Sequence, residues 1–174
     1  MRERYWNFYV ATKHKSFYYM QFQLLFDRIN WILSAFLTLT TISCIAAWNV
    51  WQSHTLIWGF LIACSQIVQA LFPKLPYNDI LISTKFIITE VDRLLLDIDH
   101  DWLYLDIHNL SDDEILVLLT KHQQRYFDLV NQFFSGTYLP VIKYCEKRAE
   151  RDCKNFFSTL KLTLRSRTPN LSIQ

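Results

Sequence analysis

The sequence predicts an all-α membrane protein with an N-terminal cytoplasmic helix, a two-transmembrane helical hairpin and a C-terminal cytoplasmic helical bundle. Three observations carry that expectation. Gly and Pro together supply only 6 of 174 residues, well below the roughly 12% usual in globular chains, which disfavours folds built from many tight turns. The 45 residues of 29–73 contain no Asp, Glu, Lys or Arg. Elsewhere the apolar residues recur at helical spacing. With 51% hydrophobic residues the chain is not a disordered one.

Segment 1–28 lacks Gly and Pro and is rich in aromatics, among them Trp6, Tyr9, Phe17, Tyr18, Tyr19 and Phe22. It reads as one helix running on into the apolar stretch. Two placements are open for its aromatic face: against the inner leaflet of a bilayer, or against other helices of the chain. Lys13 and Lys15 interrupt any signal-peptide core, and no small-residue cleavage site follows, so no cleavable leader is expected.

A hydrocarbon core of about 30 Å needs roughly 20 helical residues. Segment 29–73 therefore holds two passes, expected at 29–48 and 55–72, with Pro73 closing the second and the polar stretch 49–54 between them. Trp31, Trp48, Trp51 and Trp58 stand where interfacial indoles belong. Residues 1–28 carry Arg2, Arg4, Lys13, Lys15 and Arg28, whereas 49–54 carries no Lys or Arg; both termini are expected on the cytoplasmic side.

Segment 74–174 reads as a cytoplasmic helical domain. In 77–99 three apolar columns repeat every seven residues: Ile80, Ile87 and Leu94; Leu81, Ile88 and Leu95; Thr84, Val91 and Ile98. The column Lys85, Asp92, Asp99 is charged throughout, as a bundle helix requires. Ser111 followed by Glu114 is a capping box that opens a helix to about Phe134. Ser135, Gly136 and Thr137 break it, and Pro140 starts a last helix to about residue 165. Charge is unevenly divided: 74–139 has five basic and eleven acidic residues (net −6), and 140–174 has eight basic and three acidic (net +5).

Little points to catalysis. The chain lacks HExxH, GxSxG and any Gly-rich phosphate loop, so it is not expected to be an enzyme and no cofactor is expected. Cys44, Cys64, Cys145 and Cys153 lack the paired spacing of a zinc site. The run Asp97, Asp99, His100, Asp101, Asp106 and His108 resembles a metal loop. An EF-hand needs Gly and Glu where Trp102 and His108 stand, so the run is expected as a solvated acidic loop, with no metal. His122 falls within the apolar stripe Ile115, Leu119, Tyr126, Leu129 and Phe133 and is expected as a core histidine with a partner.

Two sets of residues remain as candidates. Ser34, Thr38 and Thr41 share one face of the first span, while Gly59, Ala63 and Gln66 share a face of the second, with Gln69 beside it. Small residues allow close helix approach and amides in hydrocarbon seek partners, so this set serves either pore lining or helix packing. In the last helix Lys143, Lys147, Arg151, Lys154, Lys161 and Arg165 form a basic stripe. It pairs with the acidic segment, rests on lipid phosphates, binds a phosphodiester ligand, or is simply a solvated face.

The Lys13-His14-Lys15 and Tyr-rich N-terminal helix leads through Arg28-Ile29-Asn30 into two closely spaced apolar helices, and long helices follow. That plan resembles the SLATT family of bacterial two-transmembrane effectors over about residues 1–135. The resemblance implies a homo-oligomer in the bacterial inner membrane, in contact with its lipid. The oligomer would permeabilise or depolarise that membrane in anti-phage defence and cause abortive infection. Its trigger would be cytoplasmic: a nucleotide second messenger, a nucleic-acid complex or a sensor protein. The other reading is a non-conducting membrane anchor or adaptor that recruits a soluble partner.

Overall fold

A computed structural model describes residues 1–46, 55–71, 77–108, 110–134 and 139–167. The described residues form five helices: α1 (Arg2–Ala46), α2 (Thr55–Leu71), α3 (Tyr77–His108), α4 (Asp112–Phe133) and α5 (Lys143–Arg167). The chain divides into two compact units, one made of Met1–Gln23 with Ser83–Gln174, the other of Leu24–Ile82.

The first unit is built around α3. Its heptad columns are the core: Thr84, Ile87, Val91, Leu94, Leu95 and Ile98 are all buried. From α1 the residues Tyr5, Tyr9, Thr12, Ser16, Tyr19 and Phe22 are buried, at spacings of three and four that put them on one helical face. α4 contributes Ile115, Leu119 and His122, and α5 contributes Cys145, Ala149 and Cys153.

The aromatic face of α1 thus packs on helices of its own chain, and the leaflet alternative gives way. Trp6 lies tilted against Trp102 (5.3 Å between ring centroids) and meets Phe157 edge-on (5.6 Å). Lys13 and Lys15 lie over the rings of Phe156 (4.8 Å) and Tyr126 (4.9 Å), which accounts for cations beside so many aromatics. Polar contacts fix the same face. Tyr5 Oη donates to the Ile98 carbonyl (3.2 Å), Ser16 Oγ to Asp92 (2.8 Å) and Gln21 Nε2 to Asp152 (2.6 Å). Tyr18 Oη donates to the Pro140 carbonyl and accepts from the Ile142 amide, which pins the approach to α5.

Two expected boundaries move. The acidic run is helical, because α3 continues to His108. Leu105 is buried and Trp102 packs against the core, so burial carries the helix past Asp99. Pro140 lies just ahead of α5, which starts at Lys143. At α4 both hydrogen bonds of the Ser111–Glu114 capping box are present.

The second unit overturns the membrane expectation. Among the described residues no helix is long and apolar enough to cross a membrane. α2 has 17 residues, about 25 Å at ~1.5 Å per residue against a core of about 30 Å. α1 is longer, but it is charged as far as Arg28, and only 18 of its residues, 29–46, follow that charge. The two-transmembrane hairpin is therefore corrected to the uncharged end of the long helix α1 and the 17-residue α2. The multi-pass inner-membrane placement with cytoplasmic termini falls with it, as does the pore-forming description. The expected turn at 49–54, together with Trp48, Trp51 and Pro73, lies outside the described residues, as do Ser135, Gly136 and Thr137.

Candidate functional site

The largest chemical concentration in the first unit lies where α3 ends and α4 begins. An open groove of about 560 Å³ is lined by His100, Asp101 and Tyr104 of α3, by Leu110, and by Asp113, Glu114, Val117 and Leu118 of α4. Leu110, Val117 and Leu118 give it an apolar lining, to which Asp101, Asp113 and Glu114 add carboxylates. The capping box places Glu114 there: the Ser111 amide and hydroxyl both donate to its carboxylate, at 2.9 and 2.8 Å. Those bonds hold its pKa below the usual carboxylate range, so the rim charge persists into mildly acid solution.

Beside the groove is a buried polar pair. His122 is 2% exposed, and its Nε2 lies 2.9 Å from Asp101 Oδ2. Against a carboxylate this nitrogen carries the proton and donates. Its Nδ1 is buried with no hydrogen-bond partner, and the Tyr5 ring meets the imidazole edge-on at 6.1 Å. The expected core histidine is therefore half satisfied. On the exposed side Arg125 pairs with Asp97 at 2.6 Å. The acidic run is thus tied to α4 through two pairs. Among the described residues no group of three or more His, Cys, Asp or Glu is placed to hold a metal ion. The Asp106 side chain lies outside the described set.

The basic stripe is placed on the outer face of α5. Lys143, Lys147, Arg151, Lys154 and Lys161 are all exposed, and the Arg165 side chain lies outside the described residues. Among the described residues its ion pairs are local: Lys154 with Glu150 at 2.8 Å and Arg151 with Asp152 at 4.0 Å. Pairing of the stripe with the acidic segment of the same chain is not what the geometry gives. A second groove, of about 640 Å³, runs between α1 and α5 past His14, Lys15, Cys153, Lys154 and Phe157. Burial pushes the Cys153 thiol above its ordinary pKa, and Cys145 likewise, so neither is an activated nucleophile.

In the second unit the small and amide residues face outward. Ser34, Thr38, Gly59, Ala63, Gln66 and Gln69 are exposed, while the Thr41 side chain is outside the described residues. Thr38 Oγ1 donates to the Ser34 carbonyl (2.8 Å), so part of that face is satisfied within its own helix. A Cβ added at Gly59 would meet nothing within 4 Å, so this glycine permits no close crossing within the chain. Among the described residues the buried polar ones here are Thr40 and Ser65, each donating to a carbonyl of its own helix.

Comparison with family models, with characterised proteins and with solved structures finds no match to this chain. Its own surfaces therefore carry the functional argument. The groove was missed in sequence because its acidic edge was read as a loop. The signal was present: Asp101 continues the column Ile80, Ile87, Leu94, Trp102 continues Leu81, Ile88, Leu95, and Leu105 continues Thr84, Val91, Ile98.

Proposed function

We propose that this chain is a non-enzymatic, self-assembling helical adaptor, in which the second unit associates with the second unit of other copies and the first unit carries the surfaces that receive a signal. The observation that supports this reading is the apolar exterior of the second unit. Leu56 is 91% exposed, Trp31 and Phe60 each 72%, and Leu39 65%. Ile32, Ile57, Ile67 and Leu71 are each more than half exposed. At about 180–250 Å² for each large side chain, these eight leave roughly 1,000 Å² of apolar surface uncovered. A stable protein–protein interface takes about 800 Å² from each partner, so one copy carries enough for a specific contact.

The SLATT resemblance supplies the setting: an effector whose assembled form is the active one, controlled by a nucleotide, nucleic-acid complex or sensor protein. In this reading assembly replaces catalysis as the output, which accords with the burial of Cys145 and Cys153 and with glycines too few to cradle phosphates.

Sedimentation velocity of the full chain over a concentration series tests the reading, beside the Leu56→Glu/Phe60→Glu variant. In high salt the wild type associates as concentration rises, and the variant sediments as a monomer with an unchanged helical spectrum. A wild type that stays monomeric, or that partitions onto phospholipid vesicles in preference to its own copies, overturns the proposal.

A further inference from the structure

Among the described residues, the cations of α5 make no ion pair with the acidic run 97–114. The carboxylates of the acidic run turn to α4, and the cations of α5 turn to neighbours on α5 itself. The imbalance of −6 in 74–139 against +5 in 140–174 is therefore not neutralised by pairing of α5 with the acidic run among the described residues. Each charged surface also borders exposed apolar side chains.

On one side is the α3–α4 groove, a hollow of about 560 Å³. Val117, which lines it, is 68% exposed, and Tyr104 46%. Asp113 and Glu114 stand exposed on its rim, and Asp113 makes no hydrogen bond or ion pair among the described residues. On the other side is the start of α5. Val141 is 74% exposed and Tyr144 54%, a projecting apolar pair three residues apart. Lys147, Arg148 and Arg151 follow Tyr144 at three, four and seven residues, so they share its helical face. Arg148 lies over the Tyr144 ring at 5.3 Å, which steadies the aromatic in its projecting position.

We propose that the α3–α4 groove of one copy receives the Val141–Tyr144 projection of a second copy, with Lys147 and Arg151 set against the carboxylate rim. A hollow of this volume falls in the range of about 300–1,000 Å³ that accommodates compact apolar groups, and the charges match in sign. The two patches are different surfaces of one chain, so the contact is head-to-tail and propagates from copy to copy until a ring closes or a filament grows. The proposal rests on the self-assembly reading and adds to it a second, charge-steered contact. Ionic strength separates the two: the apolar contact of the second unit persists in high salt, and the groove contact weakens.

The test uses full-length chains in the Leu56→Glu/Phe60→Glu background, so that the apolar contact of the second unit is removed. Sedimentation at low and high salt is measured for this chain, for the same chain with Lys147→Glu/Arg151→Glu, for one with Asp113→Lys/Val117→Lys, and for a mixture of the last two. At low salt the background chain forms assemblies that dissociate in high salt. Either charge reversal weakens association by about tenfold or more, corresponding to ~1.4 kcal/mol or more, and mixing the two restores it. Far-UV circular dichroism confirms that each variant keeps its helices, and Lys85→Glu, outside both patches, serves as a folded control that still assembles. A background chain that is monomeric at low salt overturns the groove contact while leaving the apolar contact standing. So does a mixture that fails to reassociate, or a groove that binds an unrelated Lys-rich peptide as well as it binds this chain. A wild type that is monomeric under every condition overturns both.

Discussion

At His122 one ring nitrogen is bonded and the other is not, and the two partners of its pair are unequally buried. His122 is 2% exposed at the side chain, Asp101 24%. The consequences of removing each partner therefore differ. Asp101→Ala leaves an imidazole sealed in the core with both nitrogens unpaired, a penalty of about 1–3 kcal/mol. His122→Leu replaces the ring with an apolar group and leaves a carboxylate that still reaches water and His100. Urea unfolding should show Asp101→Ala to be the more destabilised of the two, with Asp101→Ala/His122→Leu recovering most of the loss. The reverse order would mean that Asp101 draws more from His122 than it gives. This pairing was half legible: the apolar stripe of α4 places His122 in the core, and only the heptad column through Leu94 nominates Asp101 as its partner.

Element by element, the helices were easier to foresee than their neighbours. The columns of α3, the cap of α4 and the unbroken run of α1 are local features, set by spacing and by one Ser–Glu exchange of hydrogen bonds. The end of α3 is hidden in the sequence, because four carboxylates and two histidines within 97–108 outweigh the buried Ile98 and Leu105 and the half-buried Trp102 that carry the helix on. The apolar pair α1–α2 was misread for a related reason: absence of charge in 45 residues does not say how many of them one helix contains. Gly59 gives a check at this scale. It lies in the interior of α2, and an added methyl group meets nothing within 4 Å. Gly59→Ala should raise the melting temperature, by an amount corresponding to about 0.5–1 kcal/mol. If association of the second unit uses this position for close approach, the same variant weakens self-association, and sedimentation separates the two effects.

For the molecule as a whole, the phenols of the first unit tie its stability to alkaline pH. Burial pushes the pKa of Tyr9 up to about 12, and that of Tyr5, Tyr19 and Tyr126 upward as well. The Tyr19 and Tyr126 hydroxyls also share a 3.0 Å hydrogen bond. A raised folded-state pKa means that the neutral phenol is favoured by folding. The contribution is complete below the unfolded value near 10 and is lost as pH rises through the folded values. Stability should hold steady through neutral pH and fall from about pH 10 upward, with phenolate absorbance lagging behind that of free tyrosine until the fold gives way. Tyrosines that titrate near 10 with the helical signal intact would contradict the packing of α1 described above. At this scale the sequence conveyed an all-helical chain with a charged and an uncharged part. It did not convey which surfaces stay uncovered, because that depends on pairings such as Tyr18 with Pro140 that span more than a hundred residues.

The first unit is discontinuous: it begins with Met1–Gln23 and resumes only at Ser83. Tyr5, Tyr9 and Tyr19 have partners in α3, α4 and α5, so a chain emerging from the ribosome shows these rings with nothing to cover them. At about 5–20 residues per second, the 60 residues from position 23 to position 83 take roughly 3 to 12 seconds to synthesise. Throughout that interval the uncharged stretch emerges next to an unburied aromatic helix, and the most adhesive surfaces of the protein are exposed together. Nascent chains on one messenger are close neighbours during that window. Contact between copies can therefore begin before any one of them has finished folding.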